Sequence, residues 1–477
     1  MDRKISRMPL AATLGGLALA LTASIGGGAT AASEAVPRMY VLDYLATSGE
    51  VVDINEAGQV IGERDIDEGC DPFCVIVPSE PGVWDERGFT ALPTQPEWST
   101  ILLEGISADG WIVGTAYSVS DIRGVVWKPN GPGYDVLTIP NLPDTDFTTV
   151  TGIDDSNRVI GFANRQFPLV HEGFVWTEEL GPTALSDLGF PSSTPEAISP
   201  NGTVAYLQGW YQLDIPGVVN QNTSPPAGFL GPGPYMAIND FGDQIRLTIP
   251  SSGEPIYNMF RYTNTGEWQH LGASGLETST SAGGITSNLD VTATLTNSGW
   301  LAEGPNMAAE PLGERLSPAY GDATGYDAGP LTENGQMAAR ISIGKAPRVV
   351  RLVPAERCLA DCIEVDIDRF RSRFVEDPAN PGSCTGTAHT RSLARLVATD
   401  ENGAPLVGVE ITGHFLTEYR LDGEVSGTTG ADGVVEFTYK SAPCTGAMTF
   451  LVSGAETPGR TFDRTAGKLQ KWVIPGS

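Results

Sequence analysis

A short pattern of apolar and polar positions recurs along this 477-residue chain. Its first copy is VVDINEAGQVIGE at 51–63, in which an apolar residue leads into a polar turn and an apolar pair follows. Such self-similarity predicts a repeat architecture with one supersecondary unit per copy and a period of about 46 residues. Seven copies are found, and they open at Ile54, Ile106, Ile153, Ile198, Ile238, Ile285 and Leu331.

The polar part of each copy has the chemistry of a tight turn. A type I turn favours Asx or Ser at its first position and Gly at its last, and Gly or Asn tolerates the left-handed backbone that follows. Each copy therefore predicts a β-hairpin. Because Leu289 occupies the Gly position of the sixth copy, a shifted or longer turn is expected there. The first positions are Asn55, Ser107, Asp154, Ser199, Asn239, Thr286 and Thr332, and the last are Gly58, Gly110, Asn157, Gly202, Gly242, Leu289 and Gly335.

Each hairpin is followed by two more β-like runs. The third run ends in tryptophan in the first three copies, at Trp84, Trp127 and Trp176. Four strands in about 46 residues are typical of a β-propeller blade. The seventh copy lacks a fourth strand, and MYVLDYL at 39–45 precedes the first hairpin. We therefore predict an all-β protein with a seven-bladed β-propeller over 38–353, closed by its N-terminal strand.

The recurring tryptophans admit two interpretations. Equivalent spacing favours packing in the core between neighbouring blades. A ring of ligand-stacking platforms is the alternative.

The C-terminal part has a different pattern. Residues 354–385 are interpreted as a connector. In 386–477, strand-like runs alternate with the turns DENGAP and GADG, which predicts an Ig-like β-sandwich domain.

Two resemblances to known families accompany these patterns. INEAGQVIG and HEGFVW resemble the bacterial extracellular HAF-repeat family, which is named for its His-Ala-Phe tripeptide; the likeness spans about 40–350 and is closest in the first three copies. The wording around DENGAPLVGVEIT resembles bacterial Ig-like domains of the invasin type. The first resemblance implies an exported repeat protein and supplies no catalytic residues.

The N-terminus has the features of a secretory signal peptide over 1–31. Three basic residues precede the apolar run PLAATLGGLALALTASI, and ATA at 29–31 offers a cleavage site. A membrane anchor is the alternative, but the apolar run is short and is broken by Gly15 and Gly16. We expect a secreted or extracytoplasmic protein, in the periplasm, at the cell surface or outside the cell. No membrane span is expected after the signal.

Charge limits the partners of the mature chain. Cleavage after Ala31 removes Asp2 and three basic residues, which leaves 57 acidic and 26 basic residues and a net charge of −31. Such a surface repels nucleic acid and attracts cations.

The six cysteines are interpreted as disulfides, because an even number in an exported chain favours pairing. The expected bridges are Cys70–Cys74, Cys358–Cys362 and Cys384–Cys444. A four-cysteine zinc site built from CDPFC and CLADC is the alternative, although zinc sites use tighter spacings.

Candidate chemistry is sparse. No metalloprotease, nucleophile-elbow or phosphate-loop motif is present. Asp65, Asp67 and Asp71 lie in an acidic segment that could hold Ca²⁺, or that forms a solvated loop. The variable connections 63–80 and 208–228 place the expected ligand face opposite the hairpin turns. No other cofactor is expected.

These features predict an exported, non-enzymatic binding or surface-interaction protein. Its expected ligand is a protein or a glycan, and we expect a monomer. The alternative is a secreted carbohydrate-active propeller enzyme with carboxylates at the central channel. A structural envelope component is a third possibility.

Overall fold

The computed structural model is built almost entirely of antiparallel strands. Its helical elements among the described residues are short 3₁₀ turns at Ser186–Leu188, Leu312–Arg315 and Pro318–Tyr320. No helix in this part of the chain is long and apolar enough to cross a membrane. The structure describes 38–475, except for 47, 67–78, 166–169, 207, 216–217, 222–223, 225, 228, 231–234, 251–257, 274–280, 296–297, 305–308, 322, 344–345, 380–387, 418–420 and 442–446.

Four sheets follow one another in the first half of the described chain, each with its strands in sequence order. Each contains one predicted hairpin as its first two strands. Sheet 1 is Gly49–Ile54, Val60–Asp65, Ser79–Asp85 and Gly88–Ala91; sheet 2 is Thr100–Ile106, Ile112–Tyr117, Ile122–Asn130 and Gly133–Thr138; sheet 3 is Phe147–Ile153, Val159–Arg165, Val170–Thr177 and Gly181–Ala184; sheet 4 is Pro195–Ile198, Thr203–Tyr206, Gly209–Gln212 and Val219–Gln221.

Three further sheets continue the series. One strand of each of sheets 1 to 7 borders one central space, so this part of the chain is a β-propeller; it is the first strand of every sheet except sheet 5, where it is Tyr235–Ile238. Sheet 5 is Phe229–Leu230, Tyr235–Ile238, Gln244–Pro250, Asn258–Tyr262 and Trp268–Ala273; sheet 6 is Ser281–Ile285, Val291–Leu295, Ser298–Ala302 and Glu310–Pro311; sheet 7 is Thr324–Leu331, Met337–Ile343, Ala346–Pro354 and Tyr40–Ala46.

Sheet 7 contains both ends of the propeller, as the sequence predicts. Its outer strand, Tyr40–Ala46, is here called the closing strand. It pairs antiparallel with Ala346–Pro354, with Asp43 opposite Arg351. Tyr40, Val41 and Leu42 are buried. The closing strand therefore contributes both backbone pairing and apolar packing to the last sheet.

Apolar side chains fill the spaces between neighbouring sheets. One buried cluster joins sheets 1 and 2 around Trp127, which is 0% exposed. The Trp127 indole N–H also donates to the Pro93 carbonyl at 2.9 Å. Trp84 and Trp176 are likewise buried. Core packing of the recurring tryptophans is therefore confirmed, because their rings are not available as a ligand platform.

All seven hairpin turns have the same backbone. In each, the N–H of the last turn residue donates to the carbonyl of the first, and the side chain of the first residue accepts from the amide four residues later. The expectation of a different sixth turn is wrong. Leu289 adopts φ +66° at the same position, and Thr286 makes the same bonds as its counterparts. These bonds hold leucine in a left-handed conformation that glycine adopts without strain.

Replacing Leu289 by glycine is expected to give a more stable protein than replacing it by alanine. Both changes remove the same packing, but only glycine relieves the left-handed strain of about 1–2 kcal/mol. Its greater freedom in the unfolded chain offsets about 0.4–1 kcal/mol of this gain. Urea unfolding of the two variants should therefore differ by about 0.5–1 kcal/mol in favour of glycine. A more stable alanine variant would contradict the turn geometry.

The C-terminal part forms two more four-stranded sheets. Their facing apolar residues include Phe415, Phe437 and Phe450, which are buried, and the Phe450 ring contacts both of the others. Sheet 8 has the order Val434–Ser441, His389–Thr399, Cys362–Val375 and Thr461–Phe462; sheet 9 has the order Leu421–Thr428, Glu410–Thr417, Met448–Glu456 and Gln470–Val473.

The segment 354–385, predicted as a connector, differs from that prediction. It contains the 14-residue strand Cys362–Val375, which pairs along its length with His389–Thr399. Ile363, Val365 and Ile367 alternate toward the core, while charged residues between them face outward. This alternation is the two-residue period of a half-buried strand, and a bulge between Ile367 and Arg369 then shifts it by one residue, so that Phe370 is buried.

Candidate functional site

The inner strands of the propeller share a β-bulge close to the hairpin turn. In each strand the pairing register shifts about two residues before the apolar residue that opens the turn. A bulge inserts an unpaired residue and redirects its side chain. The bulged residues of sheets 1 to 6 are Val52, Glu104, Thr151, Glu196, Met236 and Gly283, and sheet 7 has Gly329 and Pro330 at the equivalent place.

These bulges border a central cavity with a volume of about 720 Å³. Its lining includes eight carboxyl groups and one basic side chain, Arg340, which pairs with Asp327 at 3.1 Å. No aromatic side chain is among the described lining residues. The wall therefore presents negative charge rather than a stacking surface. The carboxyl groups belong to Glu50, Asp53, Glu56, Glu104, Asp155, Glu196, Asp327 and Glu333.

The walls of the cavity differ from one side to the other. Sheets 2 and 4 contribute the long acidic side chains of Glu104 and Glu196. On sheets 6 and 7, glycine takes the bulge position. A side chain at Gly283 would collide with the backbone, because an added Cβ would lie 2.0 Å from the Gly329 carbonyl oxygen. The bulges thus carry long acidic side chains in sheets 2 and 4 and glycine in sheets 6 and 7.

Glu104 and Glu196 keep their protons to unusually high pH. Glu104 is reachable by solvent within the cavity, but the surrounding walls displace much of its hydration and raise its pKa to about 7. Burial also raises the pKa of Glu196 to about 7, and the positive charge of the buried Arg246 limits that rise. Both carboxyls therefore change charge near neutral pH.

Asp53 is a half-buried carboxyl at the same level. Burial raises its pKa to about 6, although its oxygens accept from the Ile54 amide at 2.8 Å and the Ile106 amide at 3.0 Å. The charge of Asp155 also raises the pKa of Asp53. Because Ile106 belongs to sheet 2, Asp53 joins sheets 1 and 2 at the cavity wall.

Replacing Glu104 by glutamine is expected to raise the melting temperature at pH 8 and to change it much less at pH 5. The folded-state pKa of about 7 lies above the ordinary value of 4.5, so the folded protein holds this proton more tightly than the unfolded chain. The contribution of this proton to the free energy of unfolding is fully present below about pH 4, and it is lost as the pH rises through about 7. Glutamine has no charge to acquire over this range.

Thermal unfolding at the two pH values tests this prediction. Glu86→Gln is the control, because Glu86 is exposed on a turn outside the cavity. The control should have an equally small effect at both pH values. The same change in melting temperature for Glu104→Gln at pH 5 and pH 8 would contradict the raised pKa.

The seven hairpin turns surround one end of the cavity and are linked to one another by hydrogen bonds. We call this set the turn ring. Every turn is bonded to the next, and the seventh is bonded to the first. In order, the bonds run from Asn55 Nδ2 to the Ser107 carbonyl (3.0 Å), Ser107 Oγ to Asn157 Oδ1 (2.7 Å), Asp155 N to the Pro200 carbonyl (2.9 Å), Asn201 N to Asp240 Oδ1 (3.0 Å), Asn239 Nδ2 to the Thr286 carbonyl (3.0 Å), Ser287 N to Glu333 Oε1 (2.7 Å) and Glu333 N to Glu56 Oε1 (2.5 Å).

The predicted acidic calcium site is only partly within the described structure. Asp65 ends the second strand of sheet 1, opposite Ser79. Asp67 and Asp71 lie outside the described residues, so their relation to Asp65 stays a prediction. Among the residues that the structure describes, no group of three His, Cys, Asp or Glu side chains could hold a metal ion.

One of the three predicted disulfides is present. Cys358 and Cys362 are bonded to each other at the start of sheet 8. The pairs Cys70–Cys74 and Cys384–Cys444 fall outside the described residues. The zinc alternative needs both CDPFC and CLADC, and the disulfide removes the second pair of thiols from it.

The predicted ligand face and the observed cavity lie in different places. The connections 63–80 and 208–228 are described only in part, so the expected face opposite the turns stays untested. The cavity instead lies among the inner strands and reaches the turn ring. Sequence reasoning did not single out Glu104 or Glu196. The signal that could have found them is an acidic residue two positions before the turn-opening isoleucine.

Comparisons with known proteins give no family for this chain. No family model matches it, and no curated protein does. Among solved structures, virginiamycin B lyase from Staphylococcus aureus is 14% identical, with 66% of this chain and 99% of that chain covered and a TM-score of 0.40. A streptogramin B lyase structure is 13% identical, covering 66% and 97%, with a TM-score of 0.37.

A third solved structure is the β-propeller domain of the Trilobed protease from Pyrococcus furiosus. It is 8% identical, covers 66% of this chain and 94% of that chain, and has a TM-score of 0.36. Since every one of these TM-scores is below 0.5, no activity, ligand or site residue is transferred from these proteins.

Proposed function

We propose that this chain is an exported, non-enzymatic binding protein that holds a small organic cation in the central cavity of a seven-bladed propeller. The signal-like segment 1–31 and the Cys358–Cys362 disulfide support export into an oxidising compartment. The series of seven sheets and the closed turn ring support seven blades. The two facing sheets of the C-terminal part support an Ig-like sandwich.

The acidic cavity is the observation that carries the proposed function. A volume of about 720 Å³ is within the range of small-molecule sites. Eight carboxyl groups face one arginine there, and that arginine is already paired with Asp327. An ammonium or guanidinium group would be attracted by this field and would donate hydrogen bonds to several carboxylates.

The resemblances to the HAF-repeat family and to invasin-type Ig-like domains are part of the same proposal. Both fit an exported protein with a rigid repeat scaffold and an appended interaction module. The protein or glycan ligand expected from the sequence is replaced here by a smaller, positively charged one, because the cavity offers charge and no aromatic surface.

An enzyme is the second candidate, and one observation favours it. Glu104 and Glu196 both have a pKa of about 7 within one cavity. Groups that titrate near the working pH are suited to general acid–base catalysis. Turnover of a glycan that disappears when one of these two residues becomes glutamine would favour the enzyme over the binding protein.

Calorimetric titration with spermidine tests the proposed function. The wild-type chain should bind spermidine, and the double variant Glu104→Gln/Glu196→Gln should bind it more than about tenfold less tightly. The reason is that a hydrogen bond to a charged group contributes about 1.5–3 kcal/mol. A separate titration with CaCl₂ distinguishes an organic cation from a divalent metal.

The matched control changes the same number of charges elsewhere. Glu86 and Glu97 are both exposed and lie outside the cavity lining. The variant Glu86→Gln/Glu97→Gln should keep wild-type affinity at moderate ionic strength, because exposed charges are screened. Equal losses in the two double variants would mean that spermidine responds to net charge and not to the cavity.

A further inference from the structure

Asp43 in the closing strand is held from two directions. Arg351 of sheet 7 binds its Oδ2 with Nε at 3.0 Å and Nη2 at 2.8 Å. Arg464 of the C-terminal part places Nη1 2.7 Å from the other oxygen, Oδ1, and also donates to the Leu42 carbonyl. The closing strand is therefore bonded both to its own sheet and to the C-terminal part.

Arg351 extends the same network to the first sheet. Its Nη1 donates to the Gly58 carbonyl at 2.8 Å, in the hairpin turn of sheet 1. Asp43 thus stands at the seam inside sheet 7 where the two ends of the propeller meet, between the closing strand and Ala346–Pro354. The chain runs directly from the closing strand into Gly49–Ile54 of sheet 1, so the ring is closed by pairing alone within sheet 7, between the closing strand and Ala346–Pro354.

The C-terminal part contacts the seam at two further places. The His414 ring of sheet 9 stacks on Tyr44 of the closing strand, with ring centres 5.6 Å apart. Arg348, which is 2% exposed in sheet 7, donates to the Thr417 carbonyl. Each contact pairs a residue of sheet 7 with one of sheet 9.

A 3₁₀ turn fills the remaining space between the closing strand and the C-terminal part. Ser317 donates its amide to the Tyr40 carbonyl at 2.8 Å and its hydroxyl to the Thr465 carbonyl at 3.3 Å. The Leu469 amide donates to the Ala319 carbonyl at 2.8 Å. One buried apolar cluster includes residues of the closing strand, this turn and sheets 8 and 9.

We propose that the C-terminal part is a clasp on the propeller seam. It keeps the closing strand in sheet 7, and loss of its contacts opens the seam between this strand and Ala346–Pro354 before any junction between sheets. Backbone pairing with Ala346–Pro354 holds only one edge of the closing strand. On the other edge, the contacts come from Leu316, Ser317 and the C-terminal part. Local opening follows the weakest cooperative junction, and the clasp determines where that junction lies.

Hydrogen exchange on the full chain tests the clasp. In Arg464→Gln, amides of 40–54 should exchange about tenfold faster than in the wild type, because the seam opens more often. Amides of Phe147–Ile153, at the junction of sheets 2 and 3, should change less than about twofold. Arg464→Lys keeps the charge near Asp43 and should give an intermediate rate at 40–54.

Arg395→Gln is the matched control. It removes an arginine that binds Asp368 within sheet 8, away from the propeller. It should leave the exchange of 40–54 unchanged. If Arg464→Gln accelerates exchange only within the C-terminal part, or equally at every junction, the proposal of a clasp is overturned.

A second variant covers the case in which Arg464→Gln does not fold. His414→Ala changes only the C-terminal side of the stack with Tyr44. It should reproduce the selective acceleration at 40–54. Wild-type exchange at 40–54 in a folded His414→Ala protein, or uniform acceleration across all junctions, would equally overturn the clasp.

Discussion

Replacing Leu42 by alanine is expected to lower the free energy of unfolding by about 2–5 kcal/mol and to do so for the whole propeller. Leu42 is buried in the closing strand, within the cluster that also includes Tyr320 and Ile341. The change leaves a cavity at the seam, where backbone pairing and apolar packing hold the two ends together. Because the sheets pack on one another in series, weakening the seam destabilises them all.

Urea unfolding with two probes measures this effect. Circular dichroism reports all strands, and tryptophan fluorescence reports the spaces between sheets. The two transitions should coincide and shift together. Leu180→Ala is the control, because Leu180 is 77% exposed and its loss should change stability by less than about 0.5 kcal/mol. A Leu42→Ala transition confined to a small fraction of the signal would show that the closing strand frays alone.

The second large effect is expected from replacing Trp127 by alanine, which should lower the free energy of unfolding by about 3–5 kcal/mol. The ring is fully buried between sheets 1 and 2, with Trp98 edge-on at 6.5 Å between ring centres. The change also leaves the Pro93 carbonyl without the indole donor. Trp127→Phe should lower the free energy of unfolding by less than Trp127→Ala does, because phenylalanine keeps most of the ring volume.

Stability and binding together separate the two interpretations of the tryptophans. Core packing predicts a large loss in urea unfolding, and for Trp127→Phe an unchanged affinity for spermidine. A Trp127→Phe protein with wild-type stability and no spermidine binding would instead make Trp127 a ligand platform.

The hairpins and sheets could be predicted because their determinants are local. Asn55 and Gly58 specify one turn with bonds made within five residues, and every copy repeats this chemistry. The closing strand could be predicted because the last repeat lacks a fourth strand and a spare strand precedes the first hairpin. Leu289 shows where local rules fail, since the surrounding bonds impose a left-handed conformation on a residue that disfavours it.

The candidate site could not be predicted for a related reason. Whether Glu104 faces the centre or the neighbouring sheet depends on a bulge, and a bulge changes the register by one residue. The same shift turns Glu196 inward in sheet 4. With 58 acidic residues in the chain, composition alone did not distinguish these two. The strand Cys362–Val375 was missed although apolar and charged residues alternate from Ile363 to Ile367; a bulge between Ile367 and Arg369 shifts that period by one residue in the rest of the strand.

The affinity for spermidine at pH 8 and at pH 6 tests the proposed function most directly. Glu104 and Glu196, each with a pKa of about 7, are mainly ionised at pH 8 and mainly protonated at pH 6, while spermidine keeps its charge. We predict binding at pH 8 that weakens about tenfold or more at pH 6, and a much smaller change in Glu104→Gln/Glu196→Gln. No binding at pH 8, or the same pH dependence in the double variant, would contradict a cation site in the central cavity.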